Sequence, residues 1–187
     1  MIRSLTAEIE TSVSRIHELV AAVKGFTYMD RAPTLESTDV RRGIEDTLVL
    51  LGAKAREKSV TIDMALAPDL PPVPAAGAEL NQVWSNLIDN ALDAAGSCGC
   101  VKIEAVRERE RLVVRIVDDG PGIPPEIRGR IFEPFFTTKP VGQGLGLGLD
   151  AVRRVVQRHR GELDVESRPG RTEFSVSLPI DPDPANP

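Results

Sequence analysis

Apolar residues at the start of the chain recur at alternating intervals of three and four positions, which predicts a helix over residues 2–27. The pattern is typical of coiled coils and four-helix bundles. Because a single helix cannot bury its own apolar seam, we expect a second copy of the chain to cover it. Packing against the globular part of the same chain is the alternative. The seam consists of Ile2, Leu5, Ile9, Ile16, Leu19, Val23 and Phe26, with Ser12 as a polar interruption.

Helical and strand-like patterns alternate after residue 38, and together they predict a mixed domain. Helical spacing covers 39–58, 78–95 and 145–159, and short apolar or alternating runs predict strands at 60–64, 101–106, 111–117, 162–166 and 172–178. Residues 28–37 and 68–74 have the composition of a linker and a proline-rich turn. Hairpins without repeated β-α-β units favour a two-layer α+β sandwich, with helices on one face of a mostly antiparallel sheet. We therefore divide the chain into a helical dimerisation segment at 1–31, a globular domain at 32–180 and a disordered tail at 181–187.

Two side chains of the predicted helices have a structural and a functional interpretation. Trp84 lies on the apolar face of the helix at 78–95, so we expect it in the core rather than against a cofactor. His159 falls in the last turn of the helix at 145–159, where a partial positive charge suits the helix dipole. We expect His159 to be a structural cap rather than a catalytic group.

Composition excludes several classes of function. The chain has 187 residues with 41% hydrophobic content and a net charge of −5, which indicates a globular protein and argues against nucleic acid as the partner. It contains no apolar run long enough for a membrane span and no signal-peptide core, so we expect no membrane insertion and a cytoplasmic location. Cys98 and Cys100 give too few ligands for a structural zinc site and are expected to be reduced thiols.

Three polar residues share one face of the helix at 78–95. Asn86 and Asn90 are four positions apart, and Asp93 extends the same face by one turn. A carboxamide oxygen is a hard, neutral ligand that suits Mg²⁺. A solvated polar face would explain these three residues equally well if they stood alone.

Two glycine clusters flank an aromatic segment further along the chain. Asp118 ends an apolar strand and opens an Asp-x-Gly-x-Gly sequence with Gly120 and Gly122, and its simplest interpretation is an ordinary Asp-Gly turn. The second cluster precedes a helix, where backbone N–H groups suit a polyanion. It matches neither a P-loop nor a dinucleotide-binding spacing. Between the clusters lie Phe132, Phe135, Phe136 and Lys139, and the second cluster contains Gly142, Gly144, Gly146 and Gly148.

These elements, in this order, resemble the asparagine, first glycine, phenylalanine and second glycine boxes of the histidine kinase/gyrase/MutL ATPase superfamily. The resemblance spans about 38–179 and is strongest to sensor histidine kinases. It implies a Bergerat-type fold that binds ATP between the helices and a lid, with Mg²⁺ on Asn90 and adenine read by Asp118. Asn86 and Lys139 are the implied catalytic residues. The implied nucleotide-binding set is Asn86, Asn90, Asp93, Asp118, Gly120, Gly122, Ile123, Phe132, Lys139, Gly142, Gly144, Leu145, Gly146 and Leu147.

Position 86 distinguishes the branches of this superfamily. ATP-hydrolysing relatives carry a glutamate base four residues before the metal asparagine, whereas this chain has Asn86, which cannot accept a proton. A neutral histidine acceptor needs little help from a base. The resemblance therefore implies transfer of the γ-phosphate to a histidine and onward to the receiver domain of a response regulator. An ATP-hydrolysing clamp and a non-catalytic nucleotide-sensing module are the alternatives.

The upstream helix departs from the kinase pattern. His17-Glu18-Leu19 resembles the start of a phosphoacceptor box, but Val20-Ala21-Ala22 does not continue it. Residues 15–31 instead resemble the second helix of the phosphoacceptor hairpin. His17 is thus either an acceptor or a surface residue, and we expect the principal acceptor helix to lie upstream.

Overall fold

The computed structural model describes residues 34–140 and 144–180. Its helices are α1 (Val40–Glu57), α2 (Gly77–Ala95), α3 (Pro125–Arg128) and α4 (Gly148–Arg158). Its strands are β1 (Glu36–Thr38), β2 (Thr61–Leu66), β3 (Val73–Ala75), β4 (Cys100–Glu108), β5 (Arg111–Asp118), β6 (Glu162–Arg168) and β7 (Arg171–Pro179). The predictions for the segment 1–31, the tail 181–187, His17 and Gly142 concern residues outside this description.

The main sheet has the strand order β2-β4-β5-β7-β6. Only the β2–β4 pair is parallel; the other three pairings are antiparallel. Helices α1, α2 and α4 cover one face, which confirms the predicted two-layer α+β sandwich. None of the helices in the described part of the chain is long and apolar enough to cross a membrane.

A two-stranded ribbon of β1 and β3 was not predicted. Glu36 pairs with Ala75 and Thr38 with Val73, and the Thr38 hydroxyl donates to the Ala75 carbonyl over 2.7 Å. These strands lie in the stretches interpreted as a linker and a turn. At three residues each, they are too short to show an alternating pattern.

Helix α2 is the centre of the core. Its apolar residues recur at three- and four-residue spacing, so one face enters the interior between α1, α4 and the sheet. Trp84 is fully buried there, as predicted. The inward residues of β4, β5 and β7 complete the cluster, and each fully buried aliphatic side chain contributes roughly 1.5–3 kcal/mol. The buried residues of α2 are Leu80, Val83, Trp84, Leu87, Ile88, Ala91 and Leu92.

His159 caps α4 as predicted, but without the predicted positive charge. The side chain is 4% exposed, and its Nδ1 lies 2.8 Å from the Val155 carbonyl, to which it donates. Its Nε2 accepts a hydrogen bond from the Ala76 amide over 3.0 Å. An acceptor nitrogen carries no proton, so the ring is neutral and joins the end of α4 to the start of α2.

His159→Leu is expected to lower the free energy of unfolding by about 1–3 kcal/mol, because the partly buried Ala76 amide would lose its acceptor. Urea denaturation at pH 7 measures the change. The control is Gln157→Leu, an exposed position in the same turn. Equal stabilities of the two variants would show that the histidine bridge contributes nothing.

Candidate functional site

Helix α2 turns its polar face away from the core. Asn86, Asn90 and Asp93 are all partly exposed on this face, as their spacing predicted. The amide of Asn86 lies against the first residue of α4, since a Cβ on Gly148 would be 3.2 Å from its Oδ1. The asparagine face therefore borders the N-terminus of α4.

Asp118 ends β5 as a buried carboxyl that is 4% exposed. Burial raises its pKa to about 6, and the neighbouring charge of Asp119 acts in the same direction. A hydrogen bond of 3.0 Å from the Gly120 amide to Oδ1 opposes the increase. A buried carboxylate with a raised pKa is poorly solvated and gains from a further hydrogen-bond donor.

The first glycine box lies in close contact with two neighbouring segments. A Cβ on Gly120 would come within 2.6 Å of the Ala94 carbonyl at the end of α2. Gly122 has a φ of 84°, and a Cβ there would lie 2.7 Å from backbone atoms of Arg168. Only glycine fits both positions, so the chain after Asp118 lies directly against α2 and the β6–β7 hairpin.

Thr172 is a site residue that the sequence interpretation missed. It pairs with Asp118 in the β5–β7 register and is 4% exposed. Its hydroxyl lies 2.9 Å from that of Ser167, which accepts a hydrogen bond from the Ile123 amide over 2.7 Å. A signal was present, because Thr172 is the one polar residue in the inward alternation 172, 174, 176 and 178.

The phenylalanine segment is fastened to the second glycine box. Phe132 and Phe136 pack against the core, and Arg130 lies 4.5 Å above the centre of the Phe136 ring. The Phe135 amide donates to the Gly146 carbonyl over 2.9 Å. Gly146 has a φ of 69°, and a Cβ there would lie 2.5 Å from the Phe136 carbonyl. Phe132 and Phe136 therefore form the predicted anchor, whereas Phe135, which is 69% exposed, does not belong to it.

Helix α4 begins later than predicted, at Gly148 instead of Leu145. The left-handed conformation of Gly146 prevents the helix from starting earlier. Leu147 is the buried N-cap and offers no side-chain hydrogen bond, while Leu145 and Gly144 are partly buried in the preceding turn. The first N–H groups of α4 thus lack a side-chain cap beside the asparagine face.

Lys139 connects the loop to the asparagine helix. Its ammonium lies 2.6 Å from Oδ2 of Asp93 and 3.3 Å from Oδ1 of Asn90. Burial alone would raise the pKa of Asp93, but hydrogen bonds from Lys139 and two further lysines hold that pKa well below its usual range. The structure brings together Asn86, Asn90, Asp93 and Lys139, and Asp118 lies at the C-terminal end of the same helix.

Comparison with known proteins places this arrangement in one family. Residues 76–182 match the family model described as histidine kinase-, DNA gyrase B- and HSP90-like ATPase. The sensory histidine kinase/phosphatase NtrB of Rhodobacter capsulatus is 41% identical over 62% of this chain, which covers 36% of that protein.

Two solved structures are also similar. The catalytic domain of histidine kinase ThkA has a TM-score of 0.72 at 31% identity, over 78% of this chain and 95% of that domain. Full-length ShkA in complex with AMPPNP has a TM-score of 0.79 at 29% identity, over 95% of this chain and 38% of that protein. The family match covers more than half of this chain. The chain belongs to the family of histidine kinase-, DNA gyrase B- and HSP90-like ATPases.

Proposed function

We propose that the chain is the ATP-binding catalytic domain of a sensor histidine kinase. The observation that carries the proposal is the convergence on one helix, α2, of Asn90, the loop lysine Lys139 and the loop that follows Asp118. The similarity to ShkA, which was solved in complex with AMPPNP, supports nucleotide binding by this domain. The reaction would transfer the γ-phosphate of ATP to a histidine.

Asp118 is proposed to bind the adenine ring. Its carboxylate would accept a hydrogen bond from the exocyclic amino group, which guanine lacks at that position. Gly120 and Gly122 hold the chain after Asp118 against α2 and the β6–β7 hairpin, and Ile123 and Thr172, joined through Ser167, would border the base. Phe132 would support the lid that covers the nucleotide.

Asn90 is proposed to hold Mg²⁺. The described residues fit the ion, because the Asn90 amide oxygen already lies 3.3 Å from a cation, the Lys139 ammonium. Bound with ATP, Mg²⁺ would neutralise phosphate charge. The triphosphate would be positioned by Lys139 and Asp93, by the uncapped start of α4 and by the backbone of the glycines and leucines at 142–147.

Asn86 favours phosphotransfer over hydrolysis. It stands beside the start of α4 and has no basic lone pair with which to activate water. A neutral imidazole supplies its own nucleophilic nitrogen near pH 7. The absence of a base at position 86 distinguishes a kinase from an ATP-hydrolysing clamp. Binding of ATP without transfer of its γ-phosphate would indicate the non-catalytic nucleotide-sensing module.

The partners follow from the same proposal. ThkA has been solved in complex with the response regulator protein TrrA, at a TM-score of 0.77 and 27% identity to this chain. A receiver domain is therefore the proposed recipient of the phosphate. We further propose that segment 1–31 pairs two chains, that 32–180 is the catalytic domain and that 181–187 is a disordered tail. A cytoplasmic location agrees with the free thiols of Cys98 and Cys100.

The proposal is tested with [γ-³²P]ATP. This chain is expected to bind Mg·ATP and to label itself poorly, whereas any longer product of its gene that carries a phosphoacceptor helix should acquire acid-labile, alkali-stable phosphate. His17→Gln is the control for labelling within this chain. Steady release of phosphate without labelling would favour the clamp, and loss of labelling in His17→Gln would make His17 the acceptor.

Asn90→Ala is expected to weaken Mg-dependent ATP binding and phosphotransfer on the order of tenfold or more, because an oxygen ligand is lost. Calorimetry with and without Mg²⁺ separates metal from nucleotide, and binding of AMP should be unchanged. Ser85→Ala, at another partly buried polar position of α2, is the matched control. Full transfer activity in Asn90→Ala would exclude Asn90 as the ligand.

Asp118→Asn is expected to stabilise the free domain while reducing ATP binding. Since burial raises the folded-state pKa from 3.8 to about 6, stability attributable to Asp118 is lost as pH rises through that interval. At pH 7 the substitution should raise the free energy of unfolding by up to about 3 kcal/mol, and below about pH 4 the gain should vanish. Urea denaturation at both pH values measures the change, with Asp164→Asn, at an exposed position, as control.

The binding arm of this experiment compares ATP with GTP. Wild type should prefer ATP, and its affinity should fall as pH drops through about 6 and the Asp118 carboxylate is protonated. Asp118→Asn should lose that pH dependence. Equal binding of ATP and GTP by wild type would contradict adenine recognition by Asp118.

A further inference from the structure

Three lysines from two separate segments converge on Asp93. Lys54 of α1 and Lys58, the residue directly after α1, lie 2.8 Å and 2.6 Å from its Oδ1, and Lys139 lies 2.6 Å from its Oδ2. Lys54 also contacts Asp89 over 2.5 Å. Neither Lys54 nor Lys58 belongs to the sequence motifs described above, so their position at this site is a result of the structure alone.

The cluster carries more positive than negative charge. Its contacts join three ammonium groups to two carboxylates, Asp89 and Asp93. The lysine side chains are only 29–31% exposed, so their charges are incompletely solvated. An excess of incompletely solvated positive charge attracts an anion.

The lysines also line an open space beside the proposed metal position. A cavity of about 520 Å³ is bordered by Lys54, Lys58, Asp93, Thr138, Lys139 and Pro140. Lys139 reaches from this cavity to Asn90, so the cavity adjoins the place where phosphate would meet Mg²⁺. The space and its charge suit a polyanion.

We infer that Lys54 and Lys58 are phosphate-binding residues for the triphosphate and that Asp93 is their positioning residue. The inference rests on the proposed function. An unneutralised Asp93, one turn from Asn90, would repel the phosphates. Lys54 and Lys58 remove that repulsion, and each holds its ammonium group toward the cavity. When triphosphate binds, Lys139 would exchange Asp93 and Asn90 for a phosphate oxygen, while Lys54 and Lys58 would each donate to a phosphate oxygen as well as to Asp93.

A structural role for the lysines predicts different behaviour. If they only tie α1 to α2, their removal should weaken all adenine nucleotides equally or lower stability alone. If they bind phosphate, the loss should grow with the number of phosphates. AMP therefore serves as an internal measure of an intact adenine pocket.

The experiment measures dissociation constants of ATP, ADP and AMP with Mg²⁺ for wild type, Lys54→Met and Lys58→Met. Each variant should bind ATP on the order of tenfold more weakly and bind AMP unchanged, with a shallower salt dependence for ATP. Lys102→Met is the matched control, because Lys102 lies on the sheet face opposite the helices. Lys54→Arg should retain ATP affinity and guards against misfolding of the methionine variant.

Asp93→Asn provides an independent readout. In that background Lys54→Met should cost less ATP affinity than in wild type, since the carboxylate to be neutralised is gone. Unchanged ATP-to-AMP ratios in both methionine variants would overturn the inference and leave the proposed function standing. Failure of wild type to bind ATP would instead overturn the proposed function.

Discussion

The amphipathic character of α2 is the constraint on which the rest of the structure depends. One face is fixed in the core by Trp84 and its apolar neighbours, which leaves no freedom of rotation about the helix axis. The opposite face must then present Asn86 toward the start of α4, and Asn90 and Asp93 toward Lys139. Packing energy from the hydrophobic core thus sets the direction of the polar groups, and the polar groups need little stabilisation of their own.

The site combines groups that are stable only because their neighbours compensate them. Asp118 is buried with a raised pKa, so its carboxylate remains poorly satisfied in the free protein. The pKa of Asp93 is instead held below its usual range, because hydrogen bonds from the lysines outweigh the effect of burial. The C-terminal end of α2 therefore lies beside the Asp118 carboxylate, an acceptor that gains from a further hydrogen-bond donor. The polar face of α2 carries an excess of donors, the lysine ammonium groups. These are complementary to the base and to the phosphates of a nucleotide.

Much of the architecture was predictable from periodicity, and the exceptions have physical reasons. The long elements α1, α2, β4, β5 and β7 show regular burial patterns and were placed within a few residues. The ribbon of β1 and β3 was missed because three residues contain too little periodicity. His159 was placed correctly, but its neutral state depends on the amide of Ala76, which lies 83 positions away. The motif residues were identified by resemblance, whereas Lys54 and Lys58 were not, since contacts between separate helices leave no local pattern.

The hydrogen bond between Phe135 and Gly146 has a consequence for how this fold can vary. It closes the intervening chain into a loop whose two ends are fixed to the core by the phenylalanine anchor and the start of α4. For a loop closed in this way, the entropy of closure grows only with the logarithm of its length, about 0.6 kcal/mol for each doubling. Insertions between these residues would therefore leave the core almost as stable as before. The length of this segment is free to change in evolution or by design while Asp118 and the glycines that follow it stay in place.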